Sequence, residues 1–164
     1  EIEKYLLQAF GAKRILWIDY GFLAGDDTDG HIDTLARFCP NDTIVYIKCD
    51  DPEDDHYESL QDMEEQLKSF TTLDGRPYNL LPIPMTGEIK EDTMRLPATY
   101  ANFAVINGAV LYPTYNQPDN DECAGKVLQK AFPGYDIIGI DCRPLIKQHG
   151  SLHCVTMQYP EGVI

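Results

Sequence analysis

The chain has 164 residues, a hydrophobic fraction of 43% and a formal net charge of −14. This length and composition suit one ordinary globular domain, and the sequence contains neither an apolar run that could span a membrane nor a signal-peptide pattern. The acidic balance opposes binding to nucleic acid or to an anionic membrane surface and favours a cationic ligand.

The N-terminal segment predicts one helix and one strand. Apolar side chains recur at helical spacing over residues 2–10, and Gly11 follows them as a helix stop signal. Residues 13–19 form a short, mostly apolar run, which is typical of a buried strand. We therefore expect a helix and then a buried strand before the first polar loop.

The next part of the chain predicts two strands, a helix and a third strand. These elements are expected at residues 34–38, 43–48, 54–70 and 78–85. A Pro-Asn-Asp turn separates the first two strands, and an acidic first turn favours the start of the helix. Pro82 and Pro84 indicate that the last strand lies at a sheet edge or carries a bulge.

The same order recurs in the second half of the chain. Strands, a helix and a final strand are predicted at residues 100–106, 109–115, 119–132 and 135–141. The Asn107-Gly108 pair between the two apolar strands is the strongest short hairpin signal, and we expect Asn107 to adopt a positive φ. The second ββαβ unit trails the first by roughly 65 residues, which predicts repeated units that bury their apolar faces together around a central site.

Two stretches have the composition of a functional site. Residues 25–33, GDDTDGHID, combine four carboxylates, a histidine and two glycines. His31 and Asp33 stand at i and i+2, where an extended backbone directs both side chains to one face. Residues 150–156, GSLHCVT, place Cys154 behind a small-residue turn and at the start of an apolar strand. A cysteine and a histidine that are distant in sequence but adjacent in space form the usual thiol-nucleophile arrangement.

The four other cysteines have no such surroundings. They are Cys39, Cys49, Cys123 and Cys142. They are scattered along the chain and form no CxxC pair, which favours reduced thiols in the cytosol over disulfides or a zinc finger. We expect these four residues to serve in packing and the protein to be cytoplasmic.

Three blocks together resemble a known family. GDDTDGHID, then residues 95–118 (RLPATYANFAVINGAVLYPTYNQP), then residues 149–158 (HGSLHCVTMQ), are similar in this order to the agmatine deiminase and bacterial peptidylarginine deiminase family of the pentein superfamily. The resemblance implies an α/β propeller of five ββαβ units. Residues 1–164 would form the C-terminal part, about half, of a single pentein catalytic domain, because the family's WxRD and EGG blocks precede the region seen here.

The reaction implied by the resemblance is hydrolysis of a guanidinium to a urea with release of ammonia, here agmatine to N-carbamoylputrescine, without a cofactor. In that reaction the Cys154 thiolate attacks the central carbon and Asp33 binds the guanidinium nitrogens. His31 protonates the leaving ammonia and then activates water against the covalent thiouronium intermediate. Asp27 is a further candidate for substrate contact, although Asp27 and Asp29 could instead organise the loop through Asx turns.

Blander interpretations of the same residues stay open. Taken alone, Cys154 could be a small core residue, and His31 with Asp33 could be a turn motif. His153 is expected to be a structural hydrogen-bonding residue, since neighbours on a strand face opposite sides. Arg95, Asn102 and Asn107 match the middle block and are expected to be structural. A zinc site is conceivable from the ligand types, but the close ligand pairs of common zinc motifs are absent, so no metal is expected.

The choice of substrate rests on charge. Agmatine lacks the α-carboxylate of arginine, so an acidic pocket favours it. Peptidylarginine deimination to citrulline is the alternative within the same chemistry, and a non-catalytic pentein fold that binds a cationic partner is the alternative from another class. The expected partners are a small cationic guanidino compound and the N-terminal half of the same protein, without nucleic acid or membrane, and a homodimer is left open.

Overall fold

The computed structural model describes residues 1–26 and 30–163 and has a mixed α/β architecture. Its helices are α1 (Ile2–Phe10), α2 (Tyr57–Ser69) and α3 (Pro118–Ala131). Its strands are β1 (Ala36–Cys39), β2 (Thr43–Lys48), β3 (Asn79–Pro84), β4 (Lys90–Glu91), β5 (Met94–Arg95), β6 (Ala104–Ile106), β7 (Ala109–Thr114) and β8 (Asp136–Asp141). Asp27 and Asp29 lie outside the described residues.

Two three-stranded sheets confirm the repeated ββαβ order. In the first sheet β1 pairs antiparallel with β2, and β2 pairs parallel with β3 across α2. In the second sheet β6 and β7 form the antiparallel hairpin, and β8 returns parallel to β7 across α3. Each helix is the crossover that a parallel pair requires. Both sheets are open in the described part of the chain, so closure into a propeller stays a prediction.

The core is shared between the two units. On α2 the buried side chains Leu60, Met63 and Leu67 lie at helical spacing, and each buried leucine contributes about 2 kcal/mol relative to an exposed one. On α3 the buried stripe consists of Ala124, Leu128 and Ala131. Because α3 contacts β3 of the first unit as well as β8 of its own, the two units pack as neighbours around one hydrophobic cluster.

Local signals account for several details. Gly11 ends α1 in the left-handed conformation with φ 60°, as the stop signal predicted. The strand β3 lies at a sheet edge, where Pro82 and Pro84 are tolerated. In the β6–β7 turn the positive φ belongs to Gly108, at 78°, so the expectation of a positive φ at Asn107 is wrong. The glycine takes the one strained position of this turn.

The strand predicted over residues 13–19 is wrong. The segment has no regular secondary structure, and Trp17 is 49% exposed. A strand needs a neighbour to satisfy its backbone groups, and none of the strands in the described chain pairs with this segment. Apolar composition alone therefore did not produce a strand here. Among the described residues, no helix is both long and apolar enough to cross a membrane.

Candidate active site

Three loops that are distant in sequence are tied together by buried hydrogen bonds. Thr99 Oγ1 donates to the carbonyl oxygen of Thr34 at 2.8 Å. Tyr115 Oη donates to the carbonyl oxygen of Thr99 at 3.0 Å and lies 2.8 Å from Ser151 Oγ. All four residues are buried, so each bond contributes on the order of 1 kcal/mol and would leave an unsatisfied group if broken. These bonds hold the segments that precede β1 and β6 against the segment that follows β8.

Asp33 lies at the centre of a polar cluster where these loops meet. Its Oδ2 accepts a hydrogen bond from Asn102 Nδ2 at 3.0 Å and lies 2.6 Å from Nδ1 of His153. On the other side, Nδ1 of His31 lies 3.7 Å from Asp33 Oδ1. The carboxylate side chain is 16% exposed, whereas that of His31 is 64% exposed. A mostly buried carboxylate is therefore flanked by two imidazoles, one of which is open to solvent.

Cys154 is exposed and faces the same asparagine. Asn102 Oδ1 accepts from the backbone N–H of His153 at 2.8 Å and of Cys154 at 3.4 Å, and lies 3.5 Å from Cys154 Sγ. Gly150 packs directly beneath the thiol: a Cβ on this residue would lie only 2.9 Å from the Cβ of Cys154. One amide thus joins the thiol segment to Asp33, which comes from the opposite part of the chain.

The predicted backbone geometry at both site stretches needs correction. His153–Val155 forms a 3-10 turn, not the start of a strand, and Ile32–Thr34 forms another. The hydrogen bonds to Asn102 and the left-handed His149 (φ 66°) turn the chain at Cys154 and override the β preference of the following residues. His153 was expected to face away from Cys154 because neighbours on a strand face opposite sides, but His153 does not lie on a strand. Its ring contacts Asp33 directly.

Arg37 adds a positive charge beside this cluster. Its guanidinium lies 4.6 Å from the centre of the Phe103 ring and donates to the Phe103 carbonyl oxygen at 2.7 Å. Burial lowers the pKa of Arg37, and the negative charge of Asp33 acts in the opposite direction. Sequence reasoning missed Arg37, which stands in no motif, and it missed the bridging role of Asn102, which it expected to be structural from its place in the middle block.

The loop before the site is held from two sides. The backbone N–H of Ala24 donates to Nε2 of the fully buried His56 at 2.8 Å, and Nδ1 of His149 lies 2.9 Å from the carbonyl oxygen of Gly25. Behind His56, Asp54 bonds both His56 Nδ1 at 2.6 Å and Arg95 Nη2 at 2.9 Å. Burial would raise the pKa of Asp54, but the hydrogen bonds from Arg95 and His56 outweigh it and lower that pKa well below its usual value.

The five cysteines, all in the described part of the chain, differ in accessibility. Cys49 and Cys142 are buried and Cys39 is partly buried, in keeping with a packing role. Burial raises the pKa of Cys39 and of Cys142 to about 11, so these thiols stay protonated near neutrality. Cys123 is exposed, so the expected packing role is wrong for it, because α3 turns it away from the buried stripe.

The structure places His31 beside Asp33 and links Cys154 to Asp33 through Asn102, and His153 also contacts Asp33. Asp27, the other predicted contact residue, lies outside the described residues. Within residues 1–26 and 30–163, no group of three or more histidine, cysteine or acidic side chains is placed to hold a metal ion.

Comparison with solved structures finds close matches. A protein from Porphyromonas gingivalis, provisionally named an arginine deiminase, superposes with a TM-score of 0.95 at 56% identity, covering 98% of this chain and 47% of that one. A cysteine-to-serine variant of C. jejuni agmatine deiminase, solved with substrate bound, superposes with a TM-score of 0.86 at 47% identity, covering 93% of this chain and 44% of that one.

Sequence comparison agrees with the structural matches. The agmatine deiminase of Medicago truncatula is 30% identical over 179 residues, which is 98% of this chain and 48% of that protein. The chain thus spans about half the length of the curated relatives it matches. The model of the Porphyromonas-type peptidyl-arginine deiminases matches residues 1–160. The chain therefore belongs to the Porphyromonas-type peptidyl-arginine deiminase family.

Proposed function

We propose that this chain is the C-terminal half of a guanidine deiminase that converts agmatine to N-carbamoylputrescine and ammonia, with Cys154 as the nucleophile. The observation that carries the proposal is the single Asn102 side chain that bonds Asp33 and contacts the exposed Cys154 thiol. A nucleophile and a carboxylate are thereby held in one cluster, as this reaction requires. Closure of the ββαβ units into a propeller with the N-terminal half is part of the same proposal.

The guanidinium group explains why these residue types are needed. It is planar, its charge is delocalised and it is a poor electrophile, so it must be held by carboxylates and attacked by a strong nucleophile. Asp33 offers a mostly buried carboxylate for this purpose. Because a bound cation also stabilises a nearby thiolate, substrate and nucleophile activate each other.

The chemical steps follow from these roles. The Cys154 thiolate forms a bond to the guanidinium carbon, and the C–N bond to one terminal nitrogen breaks as His31 gives that nitrogen a proton and ammonia leaves. The product is a thiouronium on Cys154. His31 then takes one proton from water as the C–O bond forms. The C–S bond breaks, the remaining hydroxyl proton passes to solvent, and the thiolate is restored with a substituted urea as product. The solvent-open position of His31 beside Asp33 supports this proton-transfer role.

Agmatine is the substrate that charge favours. The net charge of −14 suits a dication, and solved relatives from C. jejuni and Enterococcus faecalis carry the name agmatine deiminase. The family name points instead to peptidyl-arginine, which makes it the alternative substrate. Further carboxylates for the guanidinium are expected from the N-terminal half, so we expect turnover in the complete protein and not in residues 1–164 alone.

The test is turnover by the complete protein. Release of ammonia and N-carbamoylputrescine from agmatine supports the proposal, whereas turnover of peptidyl-arginine alone rejects the substrate. Cys154→Ser should lower kcat by on the order of 10³-fold or more, while Cys123→Ser, which changes the other exposed thiol, should leave it unchanged. Mass spectrometry of enzyme quenched during turnover should find the amidino adduct on Cys154; an adduct on another cysteine contradicts the mechanism.

A further inference from the structure

We infer that Asn102 is a positioning residue for the nucleophile, fixing Cys154 relative to Asp33 through the two ends of one amide. The inference deepens the proposed function and rests on it for the role of Cys154. Asn102 is completely buried and carries no charge. It lies outside residues 25–33 and 150–156, the two site stretches. Its amide touches the carboxylate, the thiol and the backbone that carries the second imidazole.

The donors and acceptors around this amide fit asparagine and no other residue of its size. The backbone N–H groups of His153 and Cys154 can only donate, so the atom facing them must be the oxygen Oδ1. The atom facing the carboxylate of Asp33 must then be the donor Nδ2, which lies 3.0 Å from Oδ2. An aspartate would place two carboxylates side by side, and an alanine would remove the side-chain acceptor of the Cys154 N–H and one of the two acceptors of the His153 N–H.

Other hydrogen bonds also hold these loops together, so a positioning role of Asn102 can be distinguished from a contribution to folding. The bonds from Thr99 to Thr34 and from Tyr115 to Ser151 already hold the same three segments together. The carbonyl oxygen of Asn102 also accepts from the His153 N–H at 3.2 Å, and a side-chain substitution leaves this bond in place. Removing the Asn102 side chain should therefore loosen the thiol and the carboxylate more than it loosens the fold.

The amide also contacts the sulfur atom. Asn102 Oδ1 lies 3.5 Å from Cys154 Sγ, so the amide limits the positions that the thiol can take. The other titratable or charged groups that face or influence this region are Asp33, His31, His153, Arg37 and Tyr115.

The experiment uses the complete protein in a Cys123→Ser background, which leaves Cys154 as the one exposed thiol within residues 1–26 and 30–163, and mass spectrometry of the Cys154 peptide follows its alkylation by iodoacetamide. The variants are Asn102→Ala and the isosteric Asn102→Asp. Asn107→Ala is the matched control, because it removes the same amide from an exposed turn of the same block. The quantities measured are the melting temperature, kcat and KM for agmatine, and the rate of Cys154 alkylation at one fixed pH.

We expect Asn102→Ala to lower kcat by on the order of 10²-fold, the effect of a misplaced reacting group, with a much smaller change in KM. Alkylation of Cys154, measured at one fixed pH, should become faster, because a thiol that the amide no longer holds samples more positions. Asn102→Asp should also lower kcat, since a carboxylate oxygen in place of Nδ2 cannot donate to Asp33. Asn107→Ala should change none of these quantities.

Two results would overturn the inference. One is an unchanged kcat and an unchanged rate of Cys154 alkylation in folded Asn102 variants. The other is loss of folding in both variants, which would assign Asn102 to the fold and not to the nucleophile. If the wild-type complete protein turns over no guanidino substrate, the proposed function fails, while the alkylation rates still decide whether Asn102 positions Cys154.

Discussion

Gly150 offers a direct test of how closely the Cys154 turn is packed. A Cβ on this residue would lie 2.8 Å from Nε2 of Gln148, whose flexible side chain can move away, and 2.9 Å from Cβ and 3.3 Å from Sγ of Cys154. Carbon atoms in ordinary contact stand about 3.5–4.0 Å apart, so the added methyl group must displace Cys154 by roughly 0.6 Å or more. A reacting group that is misplaced by about 1 Å costs on the order of 10²-fold in rate, or about 2.7 kcal/mol. We therefore expect Gly150→Ala to lower kcat/KM by about 10- to 100-fold.

The assay is steady-state turnover of agmatine by the complete protein, with the melting temperature measured in parallel. Gly125→Ala on α3 is the matched control, because its Cβ would lie 2.9 Å from Oη of Tyr112 on β7 and would not meet Cys154. This control has the same degree of overlap, and alanine favours the helix by about 1 kcal/mol. Wild-type kcat/KM in folded Gly150→Ala would refute the reasoning, and an equal loss in both variants would show that the effect is not specific to the thiol turn.

Two further predictions concern stability. Asp54→Asn leaves the mostly buried Arg95 without its partner and should lower the free energy of unfolding of the complete protein by about 3 kcal/mol, measured by denaturant titration. Because the fold lowers the pKa of Asp54, its stabilisation is present above about pH 4 and is lost at more acidic pH. The difference in the free energy of unfolding between Asp54→Asn and wild type should therefore shrink between about pH 4 and about pH 2. A difference that stays constant over this range contradicts this account. Residues 1–164 expressed alone should aggregate or unfold without cooperativity. The reason is that α1 buries none of its residues and that apolar side chains such as Trp17 and Phe38 are exposed. A monomer that unfolds cooperatively would contradict this prediction.

The repeated units were predictable because their signals are local. The Pro-Asn-Asp sequence and the Asn-Gly pair mark the two hairpins, and apolar side chains at helical spacing mark α2 and α3. Each of these signals acts within a few residues of the structure that it produces. The segment 13–19 failed for the opposite reason, since a strand depends on a neighbour elsewhere in the chain and composition does not report whether that neighbour exists.

The site was predictable in its residue types but not in its geometry. A histidine, an aspartate and a cysteine stand out in the sequence because their chemistry is distinctive. The turn at Cys154 is shaped by hydrogen bonds to Asn102, which lies about fifty residues upstream and has no local signal. Because of these long-range contacts, the chain forms a 3-10 turn at Cys154, where the following residues predicted a strand.

The two ββαβ units carry the cluster on their connecting segments and not on their strands. Asp33 lies just before β1 and Asn102 just before β6, so the two units present these residues at equivalent places, and there the amide of one bonds the carboxylate of the other. Cys154 follows the last strand and docks onto that pair. Strand side chains such as Val45 and Val110 are buried in the core. Reactive groups therefore lie on the loops at the strand ends. Substitutions in β2 and β7 should therefore act through stability, whereas substitutions at the Asp33–Asn102 contact should act on Cys154, the proposed nucleophile.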